Sequence, residues 1–244
     1  MQKENNNNNN QEVVTTKDMD YENEQYSWIP FLDEDDPLPG QCCPYATTSP
    51  VTIERSLIMI NCDKDDILLD VGCGDGRIAI YAAKHYGIKS IGIDVNPDLI
   101  EKANSDAKEA DVSHLVLFKV QSFAEESFDF KLSTIDKEFA KDCKHIYPTI
   151  ITCYLIPKAL KIIEPRIKDL VRHNCLESTT SQSEILTNTR PITAHKDIRV
   201  ALFVFEMERW KTVDKDDKFK IFTYSKVSID VIPTFVNTEN PYIM

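Results

Sequence analysis

From about position 50 onward, short apolar runs alternate with longer mixed stretches. Residues 67–72, 89–94, 115–120 and 149–155 are runs dense in Ile, Leu and Val, as strands covered on both faces are. The stretches between them predict helices over Val51 to Asn61, 77–86, 97–110 and Pro157 to Val171. Ser49 or Thr52 stands near the cap of the first, and a proline suits the first helical position of the last. Two further strands are expected at Arg199–Met207 and Phe219–Val227. The charged connector Val213–Lys218 between them is short enough to make an antiparallel pair. Strand–helix alternation of this kind gives an α/β fold, a doubly wound, mostly parallel and Rossmann-like sheet, here with an antiparallel terminal strand pair. Residues 121–147 read as a charged, mixed insertion. Residues 174–195, rich in Ser, Thr and Asn, read as a long loop.

The first forty residues follow another pattern. Asn5–Asn10 is a homopolymer, and polar, acidic sequence continues to about Asp36. Such a segment buries too little apolar surface to fold alone. We expect a disordered acidic tail over 1–36, one domain over 37–232 and a C-terminal tail over 233–244. The apolar patch Trp28–Leu32 inside the tail is expected to dock on the body or on a partner. Residues 1–40 carry ten acids and two bases, −8 of the chain's net −12, so the body is near balance. No basic stripe is evident, which argues against long nucleic-acid tracts as substrate. No run approaches the roughly 20 apolar residues needed to span a bilayer. The start is acidic and lacks an apolar signal region, so a cytoplasmic or nuclear address follows by default. Seven scattered cysteines do not suggest a disulfide framework. The five histidines show no metal-ligand spacing, and no metal is expected.

The chemistry concentrates where the first strand ends. Asp70-Val71-Gly72-Cys73-Gly74-Asp75-Gly76 places three glycines at alternate positions behind an acid, and a helix follows. Glycine permits turn angles denied to other residues and lets backbone approach a ligand. The next apolar run ends in Asp94, followed by Asn96-Pro97. That is where a ribose-binding carboxylate stands in a doubly wound fold. Dinucleotide folds use G-x-G-x-x-G, whereas the spacing here is G-x-G-x-G. An acid before the turn is unfavourable beside a pyrophosphate and favourable beside a sulfonium or ammonium. Cys73 reads as a small side chain in the loop. Asp75 reads as facing the ligand or capping the helix, and Arg77 as a solvated first-turn residue.

This segment resembles motif I of the class I S-adenosylmethionine-dependent methyltransferases, and Asp94 with Asn96 resembles that superfamily's ribose loop. The resemblance implies S-adenosyl-L-methionine as cofactor, held by Asp70, Gly72, Cys73, Gly74, Asp75, Gly76, Asp94 and Asn96. Many of these enzymes carry an acid after the third strand to meet adenine. Here Gln121 and Ser122 stand in that stretch and are expected to replace it by hydrogen bonding. Pro44–Pro50 just upstream, Ile151–Pro157, and Arg199–Phe205 with Trp210 resemble segments of the small protein-lysine methyltransferases that modify the c ring protein of ATP synthase and the adenine nucleotide carrier. That likeness implies a protein substrate. It places Tyr154, at the end of the fourth strand, and Tyr45 as walls of the acceptor pocket. Those relatives carry an apolar membrane segment before the domain, absent from this sequence, so no membrane insertion is expected. Two other readings stay open: a small-molecule or RNA methyltransferase, and a non-catalytic cofactor-binding partner protein.

Overall fold

A computed structural model describes residues 43, 45–180 and 196–229, with side chains of 173–180 also outside the description. The two tails, the Trp28–Leu32 patch and residues 181–195 of the expected long loop therefore lie outside the described residues.

Helix α1 (Pro50–Met59) leads into β1 (Ile67–Val71), α2 (Arg77–Tyr86), β2 (Lys89–Asp94), α3 (Pro97–Glu109) and β3 (Val116–Val120). Two short helices, α4 (Leu132–Ile135) and α5 (Lys137–Lys141), precede β4 (Ile150–Cys153). Then come α6 (Pro157–Thr180), β5 (Arg199–Phe203), β6 (Asp214–Asp216), β7 (Ile221–Tyr224) and α7 (Lys226–Ile229). The seven strands lie in the order β3-β2-β1-β4-β5-β7-β6. All neighbours are parallel except at β7, which is antiparallel to both β5 and β6. The chain runs outward from β1 to β3, then returns to β4 on the other side of β1. The strand order thus reverses between β1 and β4, where open α/β sheets bind ligands beyond the carboxyl ends of the strands.

The alternation along β1 sorts its side chains between two cores. Leu69 and Val71 join the layer under α6, while Leu68 joins the layer under α1, α2 and α3. At the opposite strand ends one carboxylate ties three parallel strands together. Asp66 accepts hydrogen bonds from the Thr149 hydroxyl (2.6 Å) and the Asp63 amide (2.9 Å). It also pairs with Lys196 at 2.9 Å and with Arg199. Arg199 in turn donates to the carbonyls of Ile60 and Asn61 (2.8 and 2.9 Å).

Five differences from the sequence reading have physical causes. The 121–147 insertion is part of the core: Phe128, Phe130, Leu132 and Ile135 are buried, and the two Phe rings meet edge-on at 4.8 Å. Its charges are spread around an apolar set with no single period. The fourth strand stops at Cys153, so Tyr154 stands just beyond it. The fifth ends at Phe203 because Val204 turns to φ +70 and Phe205 donates back to the Phe203 carbonyl at 2.8 Å. The connector 213–218 contains the edge strand β6, too short and polar to show alternation. Helix α6 runs past Val171 to Thr180, with Pro165 inside it; Ser, Thr and Asn lower helix propensity without forbidding it.

Candidate cofactor and acceptor site

The turn after β1 is held by backbone bonds. The amides of Gly72 and Cys73 both donate to the Ile93 carbonyl (2.9 and 3.0 Å), and Gly76 donates to the Cys73 carbonyl (2.9 Å). Asp94 completes the arrangement. One carboxylate oxygen accepts from the Gly74 amide and the other from the Asn96 amide, each at 2.9 Å. Asn96 then caps α3, accepting from Asp98 and Leu99. Gly74 sits at φ +54, and a Cβ there would lie 2.6 Å from the Tyr45 ring. The position therefore needs glycine twice over, for its angle and for the close approach.

These groups open onto a crevice that is continuous with solvent. Gly72 and Gly74 form its floor, with Asp94, Asn96 and Leu99 on one side. Gln121 and Phe123 line the end beyond β3, and Tyr154 and Leu155 the side beyond β4. Cys43, Tyr45 and Ala46 form an overlying wall. The structure thus brings Tyr45, Gly72, Gly74, Asp94, Asn96, Gln121 and Tyr154 to one surface. It does not bring Asp70, Cys73, Asp75, Gly76 or Ser122 to it.

Asp70, expected beside a sulfonium, stands behind the floor. It is 1% exposed and paired across the sheet with Gly92 and Thr152. The side chain points to the face away from Val71, so its contact with the crevice is through the loop. The Thr152 hydroxyl donates to one oxygen at 2.7 Å, and the other has no partner. Burial pushes its pKa up to about 7; the Thr152 hydrogen bond opposes this, while Asp94 and Asp75 add to it. Cys73 packs toward the site a Cβ on Gly92 would fill. The Ser122 hydroxyl accepts from the Ala124 amide and shapes the local turn.

Asp75 and Arg77 form a bidentate pair: Nε to one carboxylate oxygen at 2.9 Å, Nη2 to the other at 2.6 Å. Arg77 is accordingly an ion-pair partner and not a solvated first-turn residue. Asp75 is buried, and the pair holds its carboxyl below the usual range against the cost of burial. The sequence reading missed Cys43, Leu99 and Phe123. Leu99 and Phe123 look like ordinary core residues in sequence. Cys43 gains its place only through folding, its sulfur accepting from the Ile156 amide at 3.3 Å.

The elevated Asp70 pKa has a stability consequence. The folded value lies above the unfolded value near 4. Asp70 therefore contributes stability fully below pH 4 that is lost as pH rises through about 7. Asp70→Asn keeps an acceptor for Thr152 and never ionises. Wild-type stability relative to this variant should fall between pH 4 and pH 8, by up to roughly 4 kcal/mol, and level off above. Urea midpoints across that range measure it. A pH-independent difference would show that Asp70 does not titrate in the folded state.

Known proteins sharpen this geometry. Residues 68–152 match the family described as a methyltransferase domain. A protein-lysine N-methyltransferase of Saccharolobus islandicus is 27% identical over 126 residues, covering 51% of this chain and 68% of that protein. A lysine N-methyltransferase of Xenopus laevis, named for the C-type subunit of ATP synthase, is 33% identical over 87 residues, covering 36% of this chain and 38% of the relative. The chain thus spans about two-thirds of one curated relative and about two-fifths of the other. Among solved structures, an RNA methyltransferase from Salinibacter ruber in complex with S-adenosyl-L-homocysteine is similar at TM-score 0.55 and 26% identity. That match covers 78% of this chain and 97% of that one.

By strand order, glycine loop and these matches the chain is a class I S-adenosylmethionine-dependent methyltransferase. Its crevice fits the cofactor. The floor is bare glycine backbone, and a carboxylate stands at the rim where hydroxyl donors would meet it. A buried amide oxygen, Oε1 of Gln121, is left without a partner at the far end. An exocyclic amino group is the donor such an oxygen lacks. Bound there, S-adenosylmethionine supplies a methyl group already activated on a sulfonium.

Proposed function

We propose that this methyltransferase acts on a lysine amine of a protein. The observation that carries the reading is the pair of tyrosines at the crevice. Tyr154 is partly buried against Phe203, their rings 6.2 Å apart, and burial pushes its hydroxyl up to about 12. Tyr45, across the floor from it, is also raised, by burial first and then by Asp75. Both hydroxyls therefore keep their protons at neutral pH and serve as hydrogen-bonding groups, not bases. An amine held between aromatic walls loses hydration, which lowers its pKa from about 10.4 and favours the neutral nucleophile. The Tyr154 oxygen can accept from an amine N–H and aim the lone pair at the methyl carbon; alignment of this kind lowers a barrier by several kcal/mol. The two curated relatives, both named as lysine N-methyltransferases, support the same reading.

The test is transfer of radiolabel from methyl-labelled S-adenosylmethionine into a lysate from cells lacking this protein, followed by acid hydrolysis. The expected product is a labelled protein yielding methyl-lysine. Label confined to RNA or to a small molecule would overturn the lysine reading. Once the acceptor is in hand, Tyr154→Phe should lower turnover about tenfold with little change in cofactor affinity, the scale of one lost hydrogen bond. Tyr154→Ala should do worse by admitting water. Wild-type turnover in both would reduce Tyr154 to packing.

A further inference from the structure

The segment 45–49 starts at the crevice, which Tyr45 and Ala46 line, and is tied down from below. Tyr45 rests its ring on Gly74, close enough that a Cβ there would meet it at 2.6 and 2.9 Å. The Arg77 guanidinium is gripped by Asp75 through Nε and Nη2, and Nη1 together with the second hydrogen of Nη2 faces the strap. Nη1 donates to the Thr48 carbonyl at 3.3 Å, and Nη2 reaches the Tyr45 hydroxyl at 3.4 Å, a hydroxyl that also hydrogen-bonds Asp75. Lys102, from α3, approaches the same Asp75 carboxylate at 3.8 Å. At the far end Cys43 is joined to the chain after β4 through the Ile156 amide. This strap enters α1 directly, with Ser49 capping that helix.

We propose that Arg77 is the latch of this strap and that the Asp75–Arg77 pair controls cofactor exchange: the strap closes over bound cofactor, and release requires Arg77 to let go of Thr48 and the pair to let go of the Tyr45 hydroxyl. Three features support it. The guanidinium is planar and carries five donors, so Nε and Nη2 can stay on Asp75 while Nη1 and the second Nη2 hydrogen hold or free the strap. Both bonds to the strap are longer than those to Asp75, so the strap is the part that yields. The strap residue that covers the floor, Tyr45, is 43% exposed, so lifting it uncovers little apolar surface. Arg77 does not line the crevice, which makes it a positioning residue. Its effect falls on how long the cofactor stays and how well the methyl group is shielded.

The inference rests on the crevice holding S-adenosylmethionine or its product, and the experiment separates the two claims. The full-length protein is loaded with labelled S-adenosylhomocysteine, and its release is followed after adding excess unlabelled ligand. Arg77→Ala should speed release about tenfold while association changes little; Arg77→Lys, which keeps the charge but not the fork, should restore part of the loss. Tyr45→Phe, which keeps the ring on Gly74, should give a smaller increase. Hydrogen exchange of amides 46–49 should slow on ligand binding in the wild type and stay fast in Arg77→Ala. Equal release rates and equal protection in wild type and Arg77→Ala would overturn the latch, as would tighter binding through faster association, which would mean that the strap obstructs entry. Failure of the wild type to bind S-adenosylhomocysteine would overturn the cofactor assignment and the latch with it.

Discussion

Gly76→Ala should destabilise the fold by about 3–4 kcal/mol, lowering the melting temperature by on the order of 10 °C. Gly76 sits at φ +73, immediately before α2. A Cβ there would lie 2.5 Å from two atoms of the Phe118 ring and 2.8 Å from the Ala103 methyl. Neither neighbour is free to retreat. Phe118 is buried and already fills the space above Gly92, and Ala103 is fully buried on α3. The left-handed backbone costs an alanine about 1–2 kcal/mol. Overpacking of a filled core adds about 1–3 kcal/mol. Gly87, which ends the same helix at φ +66, offers an internal control, because a Cβ there meets nothing within 4 Å. Gly87→Ala should therefore show the backbone cost alone. Equal losses at the two positions would mean that the packing around Gly76 relaxes freely.

The second large effect is on ligand affinity. Asp94→Ala should weaken S-adenosylhomocysteine binding by about 1.5–3 kcal/mol, the scale of lost hydrogen bonds to a charged group. In this structure Asp94 does more than stand at the rim. Its two oxygens hold the Gly74 and Asn96 amides, so its removal loosens the floor of the crevice and the entry to α3 together. Some loss of stability, about 1 kcal/mol, should accompany the loss of affinity. Asp94→Asn keeps one acceptor and removes the charge. It should fall between the two in stability, while its affinity stays closer to that of alanine. An unchanged dissociation constant in Asp94→Ala would remove the residue from the site.

The parts of this architecture that were legible in sequence are those with a strong local signal. Strands β1 and β2, helices α2 and α3, and the antiparallel pairing of β5 with β7 follow from apolar runs bounded by glycine, proline and charge. The glycine loop and Asp94 were legible because backbone conformation and ligand chemistry constrain the same few residues. The strap was legible only through resemblance, which placed Tyr45 but not Cys43 at the pocket: both reach the crevice through contacts with residues 29 to 113 positions away, and no periodicity records that. Arg77 was misread for a related reason. A first-turn arginine ordinarily faces water, and only the fold shows Tyr45 and Thr48 on its outer edge. Asp70 illustrates the converse. Its place in the motif is plain in sequence, but whether it faces ligand or core depends on which side of β1 its position falls.

The crevice over Gly72 and Gly74 is built for S-adenosylmethionine and not for a dinucleotide. Titration calorimetry of the full-length protein with S-adenosylhomocysteine and with NAD tests it most directly. Saturable binding of S-adenosylhomocysteine, weakened in Asp94→Ala, with no heat from NAD, is the predicted result. NAD binding with no response to S-adenosylhomocysteine would contradict it.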